Sequence, residues 1–171
     1  MNIGIISDTH DDLPNLKKAV SIFNERKATH VIHAGDYVFP GVVKEFKNFK
    51  GKLIGVFGNN DGEKIGLLKN FEEIGGELFG EFGDLELDGI RIAIYHGTNN
   101  KLTEAIIASQ IYDLVICGHS HLKRDDKIGN TIVLNPGCAH KDFPSMDGII
   151  QIDPSIIMFN TSNKTYQFVR L

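Results

Sequence analysis

The sequence predicts an α/β fold in which two mixed β-sheets pack face to face and helices cover their outer faces. Three observations predict it. The first third alternates short apolar runs with amphipathic stretches in the order βαβαβ, which favours a largely parallel sheet with helices outside it. The later chain is rich in branched runs separated by turn residues, the pattern of hairpins. Several apolar runs end by handing a metal-binding residue to a loop, which describes a site at the carboxyl edge of a sheet.

Asn2–Ile6 is a buried strand by run length and branching. Asp11 and Asp12 can each cap a helix over about 13–26, with Pro14 tolerated in its first turn and Leu16, Ala19, Val20 and Phe23 forming its apolar face. His30–Ala34 is the next strand. Gly41–Phe49 reads as a second helix with Val42, Val43, Phe46 and Phe49 buried, and Lys52–Phe57 as the third strand. Phe82–Leu87 and Ile90–Tyr95 form a hairpin across Asp88-Gly89. A helix over about 101–110, capped by Asn99 or Asn100, crosses over to a strand at Asp113–Cys117. Strands at Thr131–Leu134, Gly148–Ile152, Ile156–Asn160 and Thr165–Val169 complete the chain, with turns at Asp153-Pro154 and 161–164.

The 171 residues suit one domain, 1–171, large enough to bury a core. A 42% hydrophobic and 23% charged composition is that of an ordinary globular protein. With a net charge of -4, and Asp125 and Asp126 interrupting the densest basic stretch, there is no strong nucleic-acid surface. No run is long and apolar enough for a membrane span, and Met1–Ser7 is too short for a signal peptide. Two isolated cysteines, Cys117 in an apolar run and Cys138 in a Pro-Gly loop, are no disulfide framework; the cytoplasm is the expected compartment. Oligomeric state is left open, because an exposed apolar patch and a core share one composition.

Five clusters carry the chemistry: Asp8 and His10 after IGIIS, Asp36 after VIHAG, Asn59 in GNND, His96 after IAIY, and His119 and His121 in GHSH after LVIC. All are oxygen or nitrogen donors, suited to hard or borderline divalent ions. Singly each has a bland reading: a cap for Asp8, a turn for Gly35-Asp36, a structural His96. The sharpest is GHSH, with two histidines at i and i+2 past a buried run. His30 reads as exposed, His33 as a satisfied half-buried residue, and His140 as a loop residue that could face the site.

In that order, D-x-H, G-D, G-N-x-D, H-G and G-H-x-H resemble the calcineurin-like metallophosphoesterases, in their compact prokaryotic phosphodiesterase branch. The resemblance implies a four-layer α/β/β/α sandwich of two mixed β-sheets flanked by helices. It implies two divalent ions, Mn²⁺ foremost and Ni²⁺, Fe or Zn²⁺ as alternatives. Asp8, His10, Asp36 and His121 would hold the first ion. Asp36, Asn59, His96 and His119 would hold the second, with Asp36 bridging. The activity implied is hydrolysis of a small phosphodiester, by in-line attack of a hydroxide that bridges the ions.

One position departs from the family pattern. Asn60 stands where G-N-x-D often has histidine, and asparagine cannot act as a general acid near neutrality. Good leaving groups are therefore favoured. Asn60, Asp61 and His10 are the residues expected to bear on the reaction, Asp61 by orienting a neighbour such as His10. The alternative is a protein-interaction scaffold of the retromer-subunit type, with this fold and little or no catalysis.

Overall fold

A computed structural model describes residues 1–145 and 148–171. The chain runs β1 (Asn2–Ile6), α1 (Leu13–Glu25), β2 (His30–His33), a 3₁₀ helix (Pro40–Asn48), β3 (Lys52–Gly55), α2 (Lys64–Glu73) and β4 (Glu77–Leu78). It continues through β5 (Phe82–Leu87), β6 (Ile90–Tyr95), α3 (Asn100–Ala108), β7 (Leu114–Ile116), β8 (Lys123–Ile128) and β9 (Thr131–Pro136). Then follow β10 (Asp142–Ser145), β11 (Gly148–Gln151), β12 (Ser155–Asn160) and β13 (Thr165–Arg170).

Six strands form one sheet in the order β13-β12-β1-β2-β3-β4, and five form a second in the order β5-β6-β7-β9-β8. Both are mixed. The β1-β2-β3-β4 and β6-β7-β9 stretches are parallel, while β12, β13, β5 and β8 add antiparallel edges. β10 and β11 make a separate two-stranded ribbon.

Strand alternation sorts the apolar residues into three layers of core. Ile3, Ile5, Ile32 and Ile54 meet Ile92, Ile94, Leu114 and Ile116 between the sheets. On the outer face of the six-stranded sheet, Ile6, Val31 and Leu53 pack against Leu16, Phe23, Val43 and Phe71 of the helical layer. Ala93, Val115 and Val133 pack under Ile107 of α3 on the other side. This is the expected α/β/β/α order. Gly4 lets α1 approach: a Cβ there would collide with the ring of Phe23.

The capping alternatives resolve by hydrogen bonding. Asp12 caps α1, accepting the Asn15 N–H at 3.0 Å, and Asn99 caps α3 through Lys101 and Leu102. The expected helix at 41–49 is instead a 3₁₀ helix. Pro40, Val43, Phe46 and Phe49 recur every third residue, which is its period, and Phe49 N–H reaches Phe46 O at 2.9 Å. Four elements lie outside the sequence expectation: α2, β4, β8 and β10. α2 has no side-chain cap and leaves Ile65 and Leu68 exposed beside buried Leu67 and Phe71, which blurs its apolar stripe. β8, KRDDKI, is an exposed edge strand and carries the charges that such edges need.

Candidate metal centre

The loops that leave β1, β2, β3, β6 and β7 converge at one end of the sandwich. Main-chain bonds stitch them together: Asp8 N–H to Gly35 O at 3.0 Å, His10 N–H to Asp36 O at 3.2 Å, and Gly118 N–H to His96 O at 2.8 Å. Gly118 admits the closest approach, because a Cβ there would strike Ser7 Oγ and Asp8 Oδ2. Asp8, His10, Asp36, His119 and His121 all hold positive φ, between 40° and 65°. Left-handed backbone of this kind is costly for residues other than glycine and gathers where a fold over-determines a site.

These loops bring the predicted donors together. Asp8 is fully buried, and its Oδ2 accepts the His119 N–H at 3.1 Å. Its buried Oδ1 faces His121 Nε2 at 3.2 Å, His10 Nε2 at 3.8 Å and His96 Nε2 at 4.0 Å. Asp36 Oδ2 lies 3.6 Å from His10 Nε2 and 3.3 Å from His96 Nε2, between rings assigned to different ions. His96 Nδ1 donates to Ala34 O at 2.8 Å, which orients Nε2 toward the cluster, 3.1 Å from Asn59 Oδ1. His119 stands edge-on to His96, with ring centroids 5.3 Å apart. Two triads of ligand atoms fall within 4.8 Å of one another, Asp8-His10-His121 and Asp8-Asp36-His96. Asp8 thus belongs to both triads, while Asp36, expected to bridge, lies between His10 and His96.

The electrostatics suit metal binding. Burial raises the Asp8 carboxyl, but the contacts with His10 and His121 outweigh it and hold it below the usual carboxylate range. Asp36 is likewise lowered: burial opposes, while His96 and the bonds from Asn60 win. Burial lowers His96, yet Asp36 and Asp8 raise it overall. Burial, then the neighbouring His96 charge, lowers His119. The lowered carboxyls and the lowered His119 favour the forms in which these groups bind metal, while the raised His96 reflects the two carboxylates it faces. With only oxygen and nitrogen donors, and a buried Asp8 oxygen facing three imidazoles, the residues fit a hard or borderline divalent ion.

Asp61 and Asn60 work behind these donors. Asp61 accepts four main-chain N–H bonds: Asp36 at 2.9 Å and Gly58 at 2.7 Å on Oδ2, Tyr37 at 2.7 Å and Val38 at 2.9 Å on Oδ1. The neighbour it orients is therefore the backbone around Asp36. Asn60 donates to both oxygens of Asp36, through N–H and Nδ2, each at 2.8 Å.

With this geometry the chain matches the model of the calcineurin-like phosphoesterase superfamily domain over residues 1–155. The chain belongs to that superfamily. Within the calcineurin-like phosphoesterases it is 38% identical to a phosphodiesterase of Methanocaldococcus jannaschii, covering 100% of this chain and 99% of the relative. A probable metallophosphoesterase of the same organism is 31% identical over 80% of this chain and 67% of its own length. A solved archaeal phosphodiesterase superposes with a TM-score of 0.89 at 36% identity, with full coverage of both chains. A Vps29 mutant from Entamoeba histolytica, at 15% identity and a TM-score of 0.71 over 100% of this chain and 99% of its own, shares the fold alone. The membership makes the protein a metal-dependent phosphoric ester hydrolase by family. No helix among the described residues is long and apolar enough to cross a membrane.

One supporting residue escaped the sequence reading. Asn135 is buried, donates from Nδ2 to Gly118 O at 2.7 Å and Ser120 Oγ at 3.1 Å, and so holds the loop of His119 and His121. Its signal was present: it too follows an apolar run, TIVL. His33 is fully buried rather than half-buried. It accepts the Gly35 N–H on Nδ1, meets Thr9 Oγ1 through Nε2 at 3.2 Å and stacks on Tyr37. His140 lies beside the cluster, its ring centroid 6.1 Å from that of His10, with Nδ1 3.4 Å from Asp12 Oδ2.

Proposed function

We propose that this protein is a phosphodiesterase acting through two divalent ions held by Asp8, His10, Asp36, Asn59, His96, His119 and His121. The observation that carries the reading is the buried Asp8 Oδ1, which faces three imidazole nitrogens. The name of the M. jannaschii relative supports the ester class. Bound there, Mn²⁺, or Ni²⁺, Fe or Zn²⁺, would supply an activated water and offset charge on the phosphoryl oxygens.

The remaining work falls to the chain's own groups. Asp36 and Asp8 present ionised oxygens to both halves of the cluster. Asp61 fixes the loop that carries Asp36, and Asn60 holds the Asp36 carboxylate in one orientation. Asn60 cannot act as a general acid near neutrality, so esters with acidic leaving groups react best. The substrate is a small phosphodiester, since net charge -4 disfavours a broad nucleic-acid surface. Two free cysteines suit the cytoplasm. The scaffold alternative keeps only the likeness of fold.

The test is hydrolysis of bis-p-nitrophenyl phosphate by metal-stripped protein, before and after Mn²⁺, with Asp36→Ala as control. Activity that returns with metal and is absent in the control supports the reading. Inactivity with Mn²⁺, Ni²⁺ and Zn²⁺ alike overturns it in favour of the scaffold.

A further inference from the structure

We infer that the substrate carries a single phosphate and an uncharged apolar or aryl ester group, which lies against Leu122 and Ile152; this rests on the phosphodiesterase reading above. A cavity of about 390 Å³ opens at the metal cluster. Asp36, Asn59, Asn60 and His119 line its polar side, and Leu122 and Ile152 its apolar side. The volume is that of a small-molecule site and exceeds what a phosphate alone requires.

Leu122 is 71% exposed, more than any other large hydrophobic side chain among the described residues. It is nevertheless held in place. Its N–H donates to Ser120 Oγ at 3.3 Å, and Ser120 Oγ in turn accepts from buried Asn135. The same turn that presents His119 and His121 therefore presents Leu122 to the cavity. Ile152 is fixed from the other side, its N–H bonded to Lys141 O at 2.9 Å. An apolar side chain kept in water beside a polar cluster is stabilised when a ligand covers it.

Charge sets the other limit. None of the described residues lining the cavity is Lys or Arg, and the segment 142–151 contains neither in its sequence. The neighbouring Lys123 is turned to Asp153, at 3.5 Å. A second phosphate would enter beside Asp36 with no Lys or Arg among the described lining residues to meet it, the nearby Lys141 facing a neighbouring pocket, whereas a neutral aryl group meets Leu122 and Ile152.

The experiment is calorimetric titration of the Mn²⁺-loaded protein with diphenyl phosphate, dimethyl phosphate and the doubly charged P1,P2-diphenyl pyrophosphate. Covering ~60 Å² of apolar surface at ~25 cal/mol/Å² corresponds to about tenfold in affinity. Diphenyl phosphate should thus bind about tenfold tighter than dimethyl phosphate, and no more weakly than the pyrophosphate. Leu122→Ser, at a site too exposed to threaten folding, should cut the tenfold ratio to two- or threefold. Equal affinities, a ratio unchanged in Leu122→Ser, or preference for the pyrophosphate would overturn the inference. Hydrolysis is read separately. A protein that hydrolyses bis-p-nitrophenyl phosphate but shows no aryl preference defeats this inference alone. A protein with the preference but no hydrolysis defeats the catalytic reading alone.

Discussion

Replacing Asp61 with Asn should cost this protein a large part of its stability, although no predicted metal donor is touched. Asp61 is 2% exposed and accepts four main-chain N–H bonds, two on each oxygen. Asparagine offers one oxygen, so two of those N–H groups would face an amide NH₂. A buried donor left unsatisfied costs ~1–3 kcal/mol, which for two gives ~2–6 kcal/mol. A central value of ~3.5 kcal/mol is a large share of the ~5–15 kcal/mol that holds a typical domain together. For a chain of this size it lowers Tm by about 10 °C and the urea midpoint by roughly 1–2 M. The assay is urea unfolding followed by far-UV circular dichroism in EDTA, so that metal binding adds nothing. Asp126→Asn is the control: its partner Arg124 is at 2.6 Å on the surface, and exposed pairs contribute less than about 1 kcal/mol. An Asp61→Asn protein within ~0.5 kcal/mol of the parent would refute the assignment of Asp61 as the anchor of both loops.

Three further outcomes follow from the same contacts. Asn60→His should flatten the dependence of rate on leaving-group acidity and add an alkaline limb to the pH profile, since the new imidazole must be protonated to act; no change in either would show that position 60 does not govern leaving-group protonation. Burial, the largest of several influences, depresses the His33 imidazole to about 3 from an ordinary 6.5. The unfolded chain therefore takes up a proton that the folded chain refuses, and stability is lost as pH falls from 6.5 toward 3, by at most ~1.4 kcal/mol per pH unit. His33→Gln should show a shallower loss between pH 7 and 5 by denaturant unfolding, and identical slopes would contradict the account. Gly4→Ala should destabilise by about 1–3 kcal/mol, because its methyl must displace the Phe23 ring and the helix behind it; an unchanged melting temperature would show that α1 yields freely.

Much of the site was legible because each signal is local. An apolar run followed by Asp, Asn or His within a few residues places a donor at a strand end, and all five clusters obey that rule. The helices α1 and α3 were legible for the same reason: their caps and apolar faces lie within a few turns of each other. α2 and β8 were not, since neither has a clean local pattern. α2 exposes two large apolar residues and lacks a side-chain cap, and β8 is almost wholly polar.

By itself the sequence determined the layer order and the placing of Asp, Asn and His at strand ends, both of which depend on residue type and short spacing. Only the tertiary structure decided which of these side chains lie together and what holds them. It brought Asp8 Oδ1 to both triads and set Asp61 against the Asp36 backbone 25 residues away. It separated His96, aimed into the cluster, from His33, which is buried and neutral beneath it. His119 N–H finds Asp8 across 111 residues of chain. Contacts between loops from different strands depend on how two sheets register against each other, and short-range spacing carries no record of that.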